Sequence, residues 1–256
     1  MAEAKLLPNA QKALADYLGF GAGGASGFSY VLSVYTHQIT MREYPDKYGT
    51  EGVNLNTAWT AIYTDAIRNC EEIIKNAEEP GNTLYSGIAK ILKAYAYSQL
   101  VDVFGDIPFS ESNDYQGGAG FGAPAFDQGK DIYPQLFALL DEGIADLNNT
   151  TAANPNKPGS DDLIYGGKAA SWINAANTIK LKLYNQARLV QDVSGPVNEL
   201  LSGGKLIGST AASFAFPYGT ASSPDERSPF FADYFATQRS INISPWFYEI
   251  MKGYNM

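Results

Sequence analysis

Residues 59–108 read WTAIYTDAIRNCEEIIKNAEEPGNTLYSGIAKILKAYAYSQLVDVFGDIP. In the first half, Trp59, Ile62, Tyr63, Ala66, Ile67, Cys70, Ile73 and Ile74 recur mainly at intervals of three and four, which puts them on one face of a helix with 3.6 residues per turn. Asp65, Arg68, Asn69, Glu71, Glu72 and Lys75 fill the opposite face, as in a helix that lies on a core with one side in water. In the second half, Tyr85, Ile88, Ala89, Leu92, Tyr95, Ala96 and Leu100 form the main stripe, and Ile91, Ala94, Val101 and Val103 widen it. The second helix is therefore expected to be the more buried. Pro80 and Gly81 stop the first helix, Thr83 is expected to cap the second, and Gly105 supplies the positive φ common at a helix C-terminus. A connection as short as Pro80-Gly81-Asn82 makes the two helices antiparallel.

The same patterning extends outward. An opening helix is expected over residues 8–18, followed at 19–27 by a flexible loop with five glycines. Gly19, Gly21 and Gly24 match the dinucleotide fingerprint, but they follow a helix instead of a strand and open no helix, so no cofactor is assigned there. Residues 28–38 are apolar and aromatic, and periodicity alone does not decide between helix and extended chain. Residues 36–56 read as an irregular polar and aromatic loop. After Pro108 comes a loop of more than twenty residues, a length usual for functional segments. Asp131 is expected to cap a third helix carrying Tyr133, Leu136, Phe137, Leu140, Ile144 and Leu147 inward, with Pro134 in its first turn. A Pro-, Asn-, Gly- and Asp-rich linker over 148–162 precedes a fourth helix at 168–190, with Trp172, Ile173, Ala176, Ile179, Leu183, Tyr184 and Ala187 inward. Shorter pieces are expected at 197–201 and 246–252.

Four long helices in successive pairs predict a mainly α fold of tetratricopeptide-like helical hairpins with long irregular loops. A plain helical bundle is the alternative. The organisation expected is a single domain over 1–256, with a hairpin at 57–108 and a second helical pair at 131–190.

Composition removes several function classes. A net charge of −9 and the lack of any basic run argue against nucleic acid or an anionic membrane surface as partner. Cys70 is the only cysteine, so no intrachain disulfide forms, and its place on the apolar face makes it a small buried hydrophobe. No apolar run approaches the length of a membrane span, and Met1-Ala2-Glu3-Ala4-Lys5 is not a signal peptide. The chain has one histidine and neither a Gly-x-Ser-x-Gly, a phosphate loop, a His-x-x-x-His nor a two-cysteine knuckle, which leaves no recognisable nucleophile or zinc chemistry. Loop carboxylates Glu43, Asp46, Asp102, Asp106, Glu111 and Asp114 are the residual option for a glycosidase. Acidic loop residues are ordinarily solvated turn formers, and Asp106 after Gly105 reads as one. No catalytic residue, metal or cofactor is assigned.

The hairpin motif Trp59-x-x-Ile62-Tyr63-x-x-x-Ile67, the run Tyr85-x-Gly87-x-Ala89-x-x-Leu92-x-Ala94-Tyr95-x-Tyr97 and the closing Phe104-Gly105-Asp106-Ile107-Pro108 resemble the SusD/RagB family of outer-membrane nutrient-binding lipoproteins. Gly167-Lys168-Ala169-Ala170-Ser171-Trp172 through Lys180-Leu181-Lys182-Leu183, with a basic residue at Lys182, and Val197-Asn198-Glu199-Leu200-Leu201 before Gly204-Lys205-Leu206-Ile207 are similar to later segments of the same family. The resemblance covers most of residues 50–210. It implies an α/α superhelical scaffold without enzyme activity, held on the cell surface of the outer membrane by a lipid anchor. It also implies capture of an oligosaccharide, or in some members a peptide, for delivery to a SusC-like TonB-dependent transporter. Members are about twice this length, so the chain is expected to hold the N-terminal half of one.

Sugar capture needs flat rings for the C–H face of a pyranose and polar groups at its rim. Arg42, Tyr44, Asp46, Tyr48, Asn54 and Asn56 offer both within one loop, and Trp246, beside Phe247 and Tyr248, offers a second place. Trp59 and Trp172 are assigned to the core by their spacing. A helical-repeat adaptor for proteins and an all-α glycosidase are the two other function classes compatible with this pattern.

Overall fold

The computed structural model describes residues 2–21, 26–41, 55–112, 123–223, 225–234 and 241–254, without the side chains of residues 233 and 234. In chain order the elements are α1 (Glu3–Leu18), α2 (Phe28–Tyr35), β1 (Ile39–Met41), α3 (Asn56–Ala61), a π-helical segment (Ile62–Ile67), α4 (Arg68–Glu78), α5 (Thr83–Phe104), α6 (Gly129–Asn148), α7 (Ala169–Ala187), α8 (Ser194–Gly203), a short 3-10 turn (Thr210–Ala212), α9 (Pro229–Tyr234), β2 (Ile241–Ile243) and α10 (Pro245–Gly253). The fold is mainly α, as the periodicity implies. Two compact units divide it, one of residues 1–11 and 64–216, the other of residues 12–63 and 217–256.

The first helix of the hairpin is continuous from α3 to α4 but carries the π segment in its middle. Hydrogen bonding there runs from i to i+5, which inserts one residue into the 3.6 register. From Ala66 near the end of this segment onward, Ala66, Cys70, Ile73 and Ala77 are buried; up to its first residue, the buried positions shift back by one, to Ala58, Ala61 and Ile62. Trp59, expected in the core, is consequently only half-buried and lies tilted against Tyr63, with ring centroids 5.1 Å apart.

In the first unit, α4, α5, α6 and α7 pack as antiparallel neighbours with α5 central. At the α5–α6 crossing the backbones nearly touch. A Cβ on Gly87 would lie 2.7 Å from the Gly143 carbonyl oxygen, and one on Gly143 would lie 3.0 Å from that of Gly87. Lys90 of α5 pairs with Asp146 of α6 at 3.0 Å, and Lys93 with Glu71 of α4. Gly105 has φ 78° and ends α5.

Both expected caps are supplied from elsewhere. α5 begins at Thr83 itself, so Thr83 lies inside the first turn, and the orphan N–H of Leu84 donates to Asn154 Oδ1 at 3.0 Å. α6 begins at Gly129, two residues before Asp131, and the orphan N–H of this buried glycine donates to Asp106 Oδ1 at 3.0 Å. Asp106 thereby does more than shape a turn.

The linker between α6 and α7 is stitched down by side chains. Asn82 donates to Glu3 Oε1 at 2.9 Å and accepts from the Asn156 N–H at 3.0 Å, while Tyr85 donates its hydroxyl to Asp161 at 2.7 Å. Asp162 is buried and accepts from Gln11 Nε2 at 2.7 Å, Trp172 Nε1 at 2.7 Å and the Gly167 N–H at 2.8 Å. Leu163 N–H donates back to Gln11 Oε1 at 2.9 Å. Trp172 is fully buried, as its spacing implies, with Tyr165 and Phe214 edge-on at 5.2 and 5.7 Å.

In the second unit, Phe20, Tyr30, Val31, Val34, Met41 and Ile241 form the core, with Ile39 and Leu55 packed against it. The undecided segment 28–38 is resolved as helix α2 over Phe28–Tyr35, because Tyr30, Val31 and Val34 must reach one cluster on the same side. β1 and β2 pair antiparallel, Met41 with Ile241 and Ile39 with Ile243. The described ends of the glycine segment are tightly held: Gly27 N–H donates to Phe20 O at 2.8 Å, and a Cβ on Gly27 would meet the Gly19 carbonyl oxygen at 2.3 Å. Tyr218 donates its hydroxyl to Asp16 at 2.8 Å, and Asp16 also holds Lys12 at 2.5 Å. Burial, and then that carboxylate, push the Tyr218 hydroxyl well above the ordinary phenol range.

Two outcomes follow from this packing. Asp162→Ala leaves the Trp172 indole N–H, Gln11 and Gly167 N–H without their buried acceptor and is expected to cost about 3 kcal/mol in urea unfolding. The Cys70 thiol is fully buried and pushed up to about 12, first by burial and then by Glu71. At pH 8 a thiol reagent is expected to leave it unmodified in the native state and to label it fully in denaturant; rapid native-state labelling would contradict this burial.

Candidate ligand-binding surface

α10 is spliced onto the β1–β2 ribbon through Ser244. That residue is fully buried, its N–H donates to Gln38 O at 3.0 Å, and its carbonyl accepts from the Tyr248 N–H at 2.9 Å. Pro245 then occupies the first helical position, where a missing N–H costs nothing. Phe247 and Met251, one turn apart, form the partly buried inner side. The outer side is open: Trp246 is 68% exposed, with Tyr248 and Ile250 also exposed, and Tyr254, just past the helix, is 74% exposed. Lys252 Nζ lies 5.3 Å from the Tyr248 ring centroid and 3.2 Å from Glu249 Oε1, so the one cation of this helix is already engaged by a ring and a carboxylate. The adjoining Ile243 of β2 is exposed as well.

Of the residues proposed from sequence, Trp246 stands in the open and Asn56 is the exposed first residue of α3. Arg42, Tyr44, Asp46, Tyr48 and Asn54 lie outside the described residues. The residues flanking that segment, Met41 and Leu55, both pack on the second unit's core. Met41 pairs with Ile241 at one end of the ribbon, whereas Gln38 bonds Ser244, two residues before Trp246, at the other. Three paired residues span about 7 Å, so Trp246 and the departure point of residues 42–54 are at opposite ends of the ribbon. Tyr254 was not singled out by sequence reading.

The carboxylates considered for hydrolysis that are described each hold a neighbour. Asp102 accepts from Tyr133 at 2.5 Å and pairs with Lys182 at 3.3 Å, Asp106 caps α6, and Glu111 accepts from the Ala125 N–H at 2.9 Å. In the described part of the loop after Pro108, Asp127 accepts from Ser110 N–H at 2.8 Å and Phe109 N–H at 3.0 Å. The Ser110 N–H is the main reason its carboxyl lies below the usual range. Among the described residues no three His, Cys, Asp or Glu side chains gather to hold a metal ion, and no helix is long and apolar enough to cross a membrane.

The family SusD-like, described as "Starch-binding associating with outer membrane", matches residues 1–242. The chain belongs to the SusD-like family. The solved structure of a SusD/RagB family protein from Bacteroides thetaiotaomicron superposes on the whole SusD-like chain with a TM-score of 0.81 at 21% identity, and 52% of that protein is covered. A chitin-binding protein is similar over 98% of this chain and 52% of its own, with a TM-score of 0.72 at 20% identity. A SusD homologue from Bacteroides fragilis is similar over 98% of this chain and 50% of its own, with a TM-score of 0.70 at 18% identity. The SusD-like chain thus spans about half the length of these solved structures, and the likeness is one of fold. Among curated proteins, no sequence matches. The family description is one of binding, not of a reaction. The basic position Lys182, which the resemblance picked out, holds Asp102 across α5 and α7 in this SusD-like scaffold.

Because the Trp246 ring is mostly in solvent, Trp246→Ala is expected to change unfolding free energy by less than about 0.5 kcal/mol. A loss of several kcal/mol in urea titration would show the ring to be structural.

Proposed function

We propose that this protein binds an oligosaccharide at the outer-membrane surface and passes it to a SusC-like TonB-dependent transporter, without chemical turnover. The observation that carries the binding half is the open aromatic face of α10, in a chain whose family is described by starch binding. Exposed rings lose little by staying in water yet gain where the C–H face of a sugar covers them. In this reading the ligand contacts belong to the second unit: Trp246 and Asn56, with Arg42, Tyr44, Asp46, Tyr48 and Asn54 as further candidates.

The partner half draws support from the first unit. Phe104 closes α5, Phe126 precedes α6, and Leu189 and Val190 follow α7, so the same end of these antiparallel helices presents four exposed apolar side chains. Leu189 and Val190 are 84% and 87% exposed, an apolar surface suited to a protein partner. In this reading residues 1–256 act as one SusD-like domain whose helical hairpins face the transporter, and a lipid anchor holds the protein at the membrane.

Calorimetric titration of the full chain with a panel of α- and β-linked oligosaccharides tests the proposal, followed by a reducing-sugar assay on the same mixtures. Saturable binding with no sugar release is expected. Release of reducing ends would make the protein a glycosidase, and absence of binding to every sugar, with retention of a protein partner, would make it an adaptor.

A further inference from the structure

We infer that the π segment builds a further sugar-contact patch in the second unit, made by Trp59 and Tyr63 with Asn56 and Thr60; this rests on the glycan-binding reading and adds a site to it. In an uninterrupted α-helix, Trp59 would stand seven residues before Ala66 and Tyr63 seven before Cys70, and seven residues is close to two whole turns. Both rings would then continue the buried stripe of Ala66, Cys70, Ile73 and Ala77. The inserted residue prevents this. Ala58 and Ile62 take the buried places instead, each one residue earlier. One residue of rotation, about 100°, turns Trp59 and Tyr63 to the edge of the core, where both are half-buried.

The turned-out rings are placed for a ligand. Their centroids are 5.1 Å apart with the planes inclined by 50°, so the two rings make one continuous apolar patch. Asn56, three residues before Trp59, and Thr60, four residues after Asn56, are both exposed, and side chains at these spacings are neighbours on a helix surface. An amide and a hydroxyl thus stand beside two half-buried rings, the combination that takes the C–H face of a pyranose and its hydroxyl rim. From Asn56 to Tyr63 the patch rises only about 10 Å, a length for one or two sugar units. The irregular turn is itself secured, because Asn69 Nδ2 donates to the Asp65 carbonyl oxygen of the π segment at 2.6 Å. Single π turns inside α-helices are frequent at functional sites.

An NMR titration of the full chain with maltopentaose, cellopentaose and chitopentaose tests the inference, the Trp59 indole N–H being assigned by its loss in Trp59→Phe. With whichever sugar binds, the Trp59 signal is expected to shift to saturation. Trp59→Ala is expected to weaken that sugar by about 10-fold, the scale of one lost ring contact, and Trp59→Tyr, which keeps a flat ring, by less than about 3-fold. Asn56→Ala changes an exposed position outside the core and is expected to weaken it by about 5-fold, the scale of one lost hydrogen bond. Binding with the Trp59 signal fixed, or unchanged affinity in both alanine variants, would overturn the patch while leaving glycan binding intact. Absence of binding to all three sugars would overturn both readings.

Discussion

The helical unit depends on one buried carboxylate. Asp162 draws together three parts of the chain that are far apart in sequence: Gln11 on α1, Trp172 on α7 and the turn at Gly167. An unpaired carboxylate in that position would cost several kcal/mol in lost hydration, so it is tolerated only with its donors in place. The same requirement dictates where the linker must run. Gly167 has φ 75°, and its N–H is turned onto the carboxylate by that left-handed backbone, a conformation that side chains with a Cβ resist. Trp172, held by its indole N–H, then seats Phe214 and Tyr165 around it.

With the linker tied down in this way, it becomes a source of caps for other elements. Asn154 caps α5 and Asn156 satisfies Asn82, while Asp161 takes the Tyr85 hydroxyl. Such contacts join local turns to distant helix ends. The second unit is built differently. Its core is a small cluster around a two-stranded ribbon, and it carries open aromatic rings on α10 that no core contact requires. A helical scaffold unit and a less regular, ring-bearing unit make a division of labour suited to binding.

Much of this was legible from residue spacing. The buried stripe of α5 and the positions of Trp172 and Cys70 follow from a 3.6-residue period, because burial of one face is a local property of the chain. The π segment was not legible, since an inserted residue leaves each short window helical while moving Trp59 out of the core and Ala58 into it. The caps were misassigned for a related reason. A capping acceptor need only be near in space, and Asn154 and Asp106 lie 70 and 23 residues from the N–H groups they serve. Trp246 was recognisable as a candidate, yet its exposure required knowing that α10 turns Phe247 and Met251 to its partly buried side. For residues 42–54 sequence supplies the chemistry and the described structure supplies the anchors at Met41 and Leu55.

The chain's three tryptophans occupy three environments: Trp172 buried on Asp162, Trp59 half-buried against Tyr63, and Trp246 open on α10. Their indole N–H resonances therefore report separately on the scaffold, the hairpin and the proposed surface. The most direct measurement is a two-dimensional NMR titration of the full chain with the oligosaccharides of the calorimetric panel. The Trp246 signal is expected to shift with saturation while the Trp172 signal stays fixed. Movement of Trp172 with Trp246 unchanged would place the ligand on the helical unit and contradict the account.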